Sequence, residues 1–295
     1  MPSIAGTLLR EQLRLIKPIV SNFSIEAERA AQDKLGALGA RALAPKVSFT
    51  PIKFEKFSAC VVTPADAPET WRTILYLHGG GYVAGDIQYS AGFGSVLAEK
   101  LDARVFCAAY RLAPENPFPA ALEDALFAYK YLLGLGNAPE NISLVGESAG
   151  GGLIFSLCLK LREEGLPLPS ALAAISPWTD LTFSGESYDA NRYRDPTLSE
   201  QSLRGYAEAY APDDAQNPLV SPLFGDLTGM PRSIIIAGGD ELLLDDARMM
   251  ADRLGQFGCE NTLYTEPGMW HVYPLFGTPE SQKALEMIKT MLYGG

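Results

Sequence analysis

The pentapeptide Gly146-Glu147-Ser148-Ala149-Gly150 sets one serine in a GxSxG pattern, the pattern that holds a hydroxyl at the apex of a sharp strand-to-helix turn. The flanking residues supply that setting, with the β-prone run ISLV before the turn and GGLIFSLCLKL after it. Gly146, Gly150 and Gly151 keep the surroundings clear of side chains that would clash with a strained serine. A serine hydroxyl is a poor nucleophile near neutral pH. Acyl transfer at Ser148 therefore requires an imidazole base, and a carboxylate to fix the tautomer of that base.

The chain has two histidines, His78 and His271. Where a GxSxG turn carries a triad, the chain order is serine, then acid, then histidine, and only His271 follows Ser148. It lies in the Gly/Pro-bounded loop EPGMWHVYP, directly after a strand-like run, where a side chain can reach back toward the serine turn. For the acid, Asp240 closes the apolar run SIIIAGG, so its carboxylate is expected at the carboxyl end of the sheet, the end that bears Ser148. Glu241 is expected to point elsewhere. Asp245 and Asp246 fall in a helical pattern and read as structural, with Asp245 the main rival to Asp240.

An acyl-transfer site also needs N–H donors for the oxyanion, each contributing roughly 3–4 kcal/mol of transition-state stabilisation. His78-Gly79-Gly80-Gly81-Tyr82 directly follows the run TILYL, and glycines without Cβ let a backbone come close to substrate. The amide of Ala149 would complete such a hole. Neither GxGxxG nor GxxxxGK[ST] occurs in this stretch, so a phosphate loop is disfavoured. His78 opens the loop and is expected to hold its shape.

Together, HGGGY (78–82), YRLAPENPFPAALED (110–124), GESAGG (146–151) and the spaced Asp240 and His271 resemble the hormone-sensitive-lipase family of esterases over about residues 74–275. The resemblance implies a capped α/β-hydrolase fold and a serine carboxylesterase that cleaves short- to medium-chain acyl esters through an acyl-enzyme. It further implies that Gly80 and Gly81, with Ala149, donate to the oxyanion. This sequence departs from the family pattern at Glu147, where many relatives carry Asp, and at Asp240-Glu241-Leu242, where Asp-Pro-Leu is commoner. An amidase or arylformamidase with the same triad, or a non-catalytic binding protein on this fold, are the alternatives.

Positioning these residues requires strands that end at one edge. Strand-like runs at 72–79, 103–110, 141–148, 171–177, 232–240 and 261–268 alternate with helical patterns such as 119–135, 149–164 and 244–257, which predicts βαβ units and a mostly parallel sheet. The runs 47–55 and 57–64 leave no room for a crossover helix and are expected to pair antiparallel, mixing the sheet at one edge. Residues 1–45 and about 179–225 stand outside the repeat and are expected to form a helical cap on a single domain spanning 1–295.

The chain has 295 residues, 47% of them hydrophobic and 20% charged, which fits an ordinary globular protein. With 24 basic and 35 acidic residues the net charge of -11 disfavours nucleic acid as a partner. Arg10, Glu11, Arg14 and Lys17 interrupt the apolar residues of the first segment, so no signal peptide or stable membrane anchor is expected and the location is read as cytoplasmic. Cys60, Cys107, Cys158 and Cys259 are widely spaced and read as buried free thiols. No HExxH, CxxC or carboxylate-rich loop occurs, so neither metal nor cofactor is expected. Tyr82, Trp178, Tyr188, Met269 and Trp270 are candidates to line a substrate pocket. Arg111 and Glu115 read as an internal ion pair that fixes a loop, and a final edge strand offers a surface for a homodimer.

Overall fold

The structure, a computed structural model, describes residues 2–20, 24–43, 46–66 and 72–294. Helices α1 (Ile4–Val20) and α2 (Ile25–Leu43) come first, followed by β1 (Val47–Lys53), β2 (Ser58–Pro64), β3 (Thr73–Leu77), α3 (Ile87–Leu101) and β4 (Arg104–Ala109). Next come α4 (Ala120–Gly134), β5 (Ile142–Glu147), α5 (Ala149–Glu163) and β6 (Ala171–Ile175). The segment after β6 carries α6 (Ser187–Ala190) and α7 (Glu200–Tyr210), and the chain continues with β7 (Arg232–Gly238), α8 (Leu244–Gln256), β8 (Asn261–Glu266) and α9 (Pro279–Tyr293).

All eight strands form one sheet in the order β1-β2-β4-β3-β5-β6-β7-β8. Strand β2 pairs antiparallel with β1 and β4, and the remaining pairs are parallel. This is the sheet, mixed at one edge, that the sequence predicts. Because side chains alternate across a strand, each face receives its own core. Ile74 and Tyr76 of β3 pack with Phe93 and Leu97 of α3 and Leu285 and Ile288 of α9. Leu75 and Leu77 pack on the opposite face with Leu122 and Tyr129 of α4, Leu153 and Leu157 of α5, and Met250 of α8. Each such aliphatic side chain contributes about 1.5–3 kcal/mol by burial.

Two of the sheet-covering helices have no counterpart in the sequence reading. Helix α3 contains Gly92 and Gly94, which weaken its helical signal, but a Cβ at Gly94 would come within 2.3 Å of Cys107 Sγ on β4. The glycine is there to let helix and sheet approach, and the helix is secured by Asp86, whose side chain accepts from the amides of Gln88 and Tyr89. Helix α9 is started by a reciprocal Thr278–Ser281 capping box.

Of the segment 1–45, residues 1, 21–23 and 44–45 lie outside the described residues. Helix α1 is tied to α9 through Ser3, whose amide and hydroxyl donate to the carboxylate of Glu280 at 2.5 and 3.0 Å. Arg29 of α2 donates to the carbonyls of Val83 and Ala113 and pairs with Glu115. The expected Arg111–Glu115 pair is therefore corrected: Arg111 is forked onto Asp124 and also meets Glu123, while Glu115 serves Arg29. Sequence proximity suggested a local pair, but Arg111 meets the carboxylates of Glu123 and Asp124 on α4. All four cysteines are free and buried. Among the described residues no helix is long and apolar enough to cross a membrane.

Candidate active site

Five parallel strands end together at Leu77, Glu147, Ile175, Gly238 and Glu266, and the segments that follow them carry every residue singled out from sequence for chemistry. Ser148 is the single residue between β5 and α5, held at φ 54° and ψ −122°, a backbone conformation that costs a non-glycine residue on the order of 1–3 kcal/mol. Its amide donates to Ile175 O at 2.9 Å, and its carbonyl accepts from Trp178 N at 2.9 Å. The neighbouring glycines are required sterically: a Cβ at Gly146 would lie 2.2 Å from Gly150 O, and one at Gly150 would lie 2.0 Å from Leu77 O.

The loop after β3 is wrapped against this turn. A Cβ at Gly79 would meet Ser148 Cβ at 3.0 Å, so the two backbones nearly touch. Gly80 and Gly81 have φ +103° and +61°, and Tyr206 of α7 lies so close over Gly81 that a Cβ there would come within 2.4 Å of its ring. Tyr206 in turn donates to Glu28 of α2 at 2.5 Å. Glu147 braces the loop from beneath, its Oε1 accepting from Gly79 N at 2.6 Å and from the Tyr89 hydroxyl at 3.2 Å. Full burial pushes the Glu147 carboxyl up to about 7. His78 is equally buried, stacks on Tyr110 with ring centroids 4.2 Å apart, and makes a 2.7 Å contact from Nδ1 to Gly79 O. Burial lowers its imidazole to about 4, so it is neutral at pH 7 and donates through Nδ1. It is occupied in holding the loop.

His271 is 4% exposed, and its Nδ1 has no hydrogen-bond partner among the described residues. Burial lowers its imidazole to about 3, which leaves it neutral at pH 7. Asp240, the acid expected to orient the imidazole, makes no hydrogen bond to Nδ1. Asp240 Oδ2 pairs with Arg10 Nη2 at 2.6 Å and Oδ1 with Arg194 Nη2 at 3.4 Å, so both oxygens are directed at arginines of the two extra segments. Asp245, the rival, accepts from Ser187 N at 2.8 Å and pairs with Arg248, which joins α6 to α8.

The carboxylate turned inward is that of Glu241. It has no exposed surface; its Oε2 accepts from Ser176 Oγ at 2.7 Å and from Gly238 N at 2.9 Å, and its Oε1 has no partner. Ser176 Oγ also accepts from Val272 N at 3.0 Å, so a single hydroxyl links Glu241 to the residue beside His271. Ser176 follows Ile175, the residue that receives the Ser148 amide, and has φ 48°. One turn after β6 thus joins the serine, histidine and Glu241 loops. Nδ1 of His271 and Oε1 of Glu241 are both buried without a hydrogen-bond partner among the described residues. Burial pushes the Glu241 carboxyl up to about 8, countered by its bonds from Ser176 and Gly238.

The five candidate pocket residues are packed rather than exposed. Trp178, Met269 and Trp270 have no accessible surface, Tyr82 stacks on Tyr210 at 3.8 Å, and Tyr188 donates to Asp246 at 2.8 Å. Met269 and Trp270 belong to the core shared with α3 and α9. The apolar character that marked them as lining is here the character of core residues. Sequence reasoning did not single out Ser176, Arg10 or Tyr206 for the site, and it set Glu241 aside as pointing elsewhere. Of these only Glu241 carried a signal, since it departs from the Asp-Pro-Leu form at the acid position.

A strained serine after the fifth strand of a mixed eight-stranded sheet, with a histidine loop after the last strand, defines an α/β hydrolase. A family model described as alpha/beta hydrolase fold matches residues 74–275. An acetyl-hydrolase of Streptomyces hygroscopicus is 41% identical over 229 residues, 77% of each chain. An esterase of Acinetobacter venetianus is 34% identical over 218 residues, 72% of each chain. The solved structure of an esterase from the bacterial hormone-sensitive lipase family superposes with TM-score 0.89 at 32% identity, covering 100% of this chain and 99% of the other. The chain belongs to the hormone-sensitive-lipase family of esterases.

Proposed function

We propose that the protein is a serine carboxylesterase in which Ser148 attacks the ester carbonyl, His271 takes the hydroxyl proton, and Glu241 holds the imidazole with its Nδ1–H directed away from the serine. The observation that carries this reading is the Ser176 hub: one hydroxyl bonded to Glu241 and to Val272 N, on the turn that also seats Ser148. Attack forms a tetrahedral oxyanion, for which the amides of Gly80, Gly81 and Ala149 are the donors in this reading. The positive φ at both glycines supports that assignment, because it turns the loop without side-chain obstruction. Collapse expels the alcohol, which takes the proton from His271, and leaves an acyl-enzyme. Water activated by the same imidazole then releases the acid.

Helices α1, α2 and α7 serve as the cap. Tyr206, Glu28 and Gln32 crowd the loop at Gly80 and Gly81, which favours short acyl groups, the acetyl ester being the smallest. Hydrolysis of p-nitrophenyl esters of increasing acyl length by wild type and Ser148→Ala tests the reading. The acetate should turn over fastest, and the variant should lose all but a residual rate. An active Ser148→Ala would overturn the nucleophile, and faster turnover of a matched amide would move the assignment to an amidase.

A further inference from the structure

We propose that Arg10, on the first cap helix, is a positioning residue that holds the acid-bearing and histidine-bearing loops in register; this rests on Glu241, not Asp240, being the acid. The guanidinium bridges the two loops directly. Its Nη1 donates to Gly268 O at 2.7 Å, three residues before His271, and its Nη2 pairs with Asp240 Oδ2 at 2.6 Å, one residue before Glu241. The same Nη2 reaches Arg194 O at 3.2 Å, and Arg194 approaches the other Asp240 oxygen at 3.4 Å. The loops are joined by main-chain bonds from Gly239 N to Glu266 O and from Asp240 N to Met269 O, both 2.9 Å. Arg10 closes a ring over those bonds from above.

The pair is not a surface ornament. The Arg10 and Asp240 side chains are only 15% and 9% exposed, whereas exposed pairs contribute little. The N-terminal residues pack on the same place: a Cβ at Gly268 would meet Pro2 Cγ at 2.7 Å. A planar fork can satisfy a carboxylate and a carbonyl at once in fixed geometry, which an ammonium on a flexible stem does less well. Asp240 is thereby explained as the acceptor that docks α1, and the cap acts on the reaction as well as covering it. A misplacement of reacting groups by about 1 Å costs on the order of a hundredfold in rate.

Steady-state kinetics on p-nitrophenyl acetate, with active serines counted by organophosphonate titration and folding checked by circular dichroism, decides the matter. Arg10→Met should lower kcat by about ten- to a hundredfold with KM within about twofold, and Arg10→Lys should recover part of that loss. Asp240→Asn should fall by no more than Arg10→Met, and the double variant should be no worse than Arg10→Met alone. A change in KM only, unchanged kcat, or an Arg10→Lys as impaired as Arg10→Met would overturn the positioning role. If Arg10→Met does not fold, Arg10→Lys and the double variant still carry the comparison. Asp240→Asn losing about 10⁴ while Glu241→Gln stays active would instead sink the acid assignment.

Discussion

Replacing Glu241 by Gln changes one atom in the interior and separates the two adjacent carboxylates. The Gln carbonyl oxygen can still accept from Ser176 Oγ and Gly238 N, the two bonds of 2.7 and 2.9 Å that fix the side chain, so the fold should survive. At the other position an oxygen becomes an NH₂ donor. Facing a donor, Nδ1 of His271 must become the acceptor and the ring proton moves to Nε2, where it blocks uptake of the Ser148 proton. In serine proteases the equivalent carboxylate-to-amide change, with its wrong tautomer, costs about 10⁴ in kcat, equivalent to about 5.5 kcal/mol of transition-state stabilisation. The expected result is a folded protein with kcat for p-nitrophenyl acetate down by roughly 10³–10⁴ and KM little changed. A Glu241→Gln enzyme within tenfold of wild type would refute the assignment.

Other perturbations follow from the same structure. Because burial raises the Glu241 carboxyl above its unfolded value, its contribution to stability is lost as pH rises toward about 8; Glu241→Gln should therefore gain melting temperature over wild type at pH 8.5 and gain little at pH 5, read by thermal denaturation at both. Gly150→Ala places a Cβ 2.0 Å from Leu77 O, a clash with main chain that cannot yield; expression should fall or activity vanish, and a fully active, stable variant would show the turn to be looser than drawn. Glu147→Leu leaves Gly79 N without its acceptor, at a cost of about 1–3 kcal/mol for the unsatisfied amide, so chemical denaturation should show the loss and kcat should drop with it, whereas Glu147→Gln should keep the bond. All four cysteines are buried, so Ellman's reagent should label almost no thiol in the native protein and four after denaturation.

The sheet was legible because its strands obey simple periodicities: Ile74 and Tyr76 turn to one face and Leu75 and Leu77 to the other, and the observed strands end within about two residues of their predicted limits. The serine turn was legible for a steric reason, since glycines at 146 and 150 leave few other structures. Helix α3 was not, because Gly94 answers to a contact with Cys107 on another element. The different settings of Asp240 and Glu241 were not legible for a related reason. Asp240 and Glu241 are adjacent at a strand end, and Asp240 pairs with Arg10, more than two hundred residues away in the chain, while Glu241 is fully buried. No local pattern contains that information. Bulk and apolarity describe a pocket wall and a core equally well, so the burial of Tyr82, Trp178, Tyr188 and Trp270 was not legible in the sequence.

One detail of the cap bears on how such enzymes diversify. Arg29 grips Val83 and Ala113, and Arg10 grips Gly268, through their main-chain carbonyls. Every amino acid offers that acceptor, so the grip of the arginines does not depend on which side chains stand at 83 and 113, although both are fully buried in the core. A change at Val83 or Ala113 is limited by core packing, and the arginines above would keep their acceptors through any substitution the core can hold.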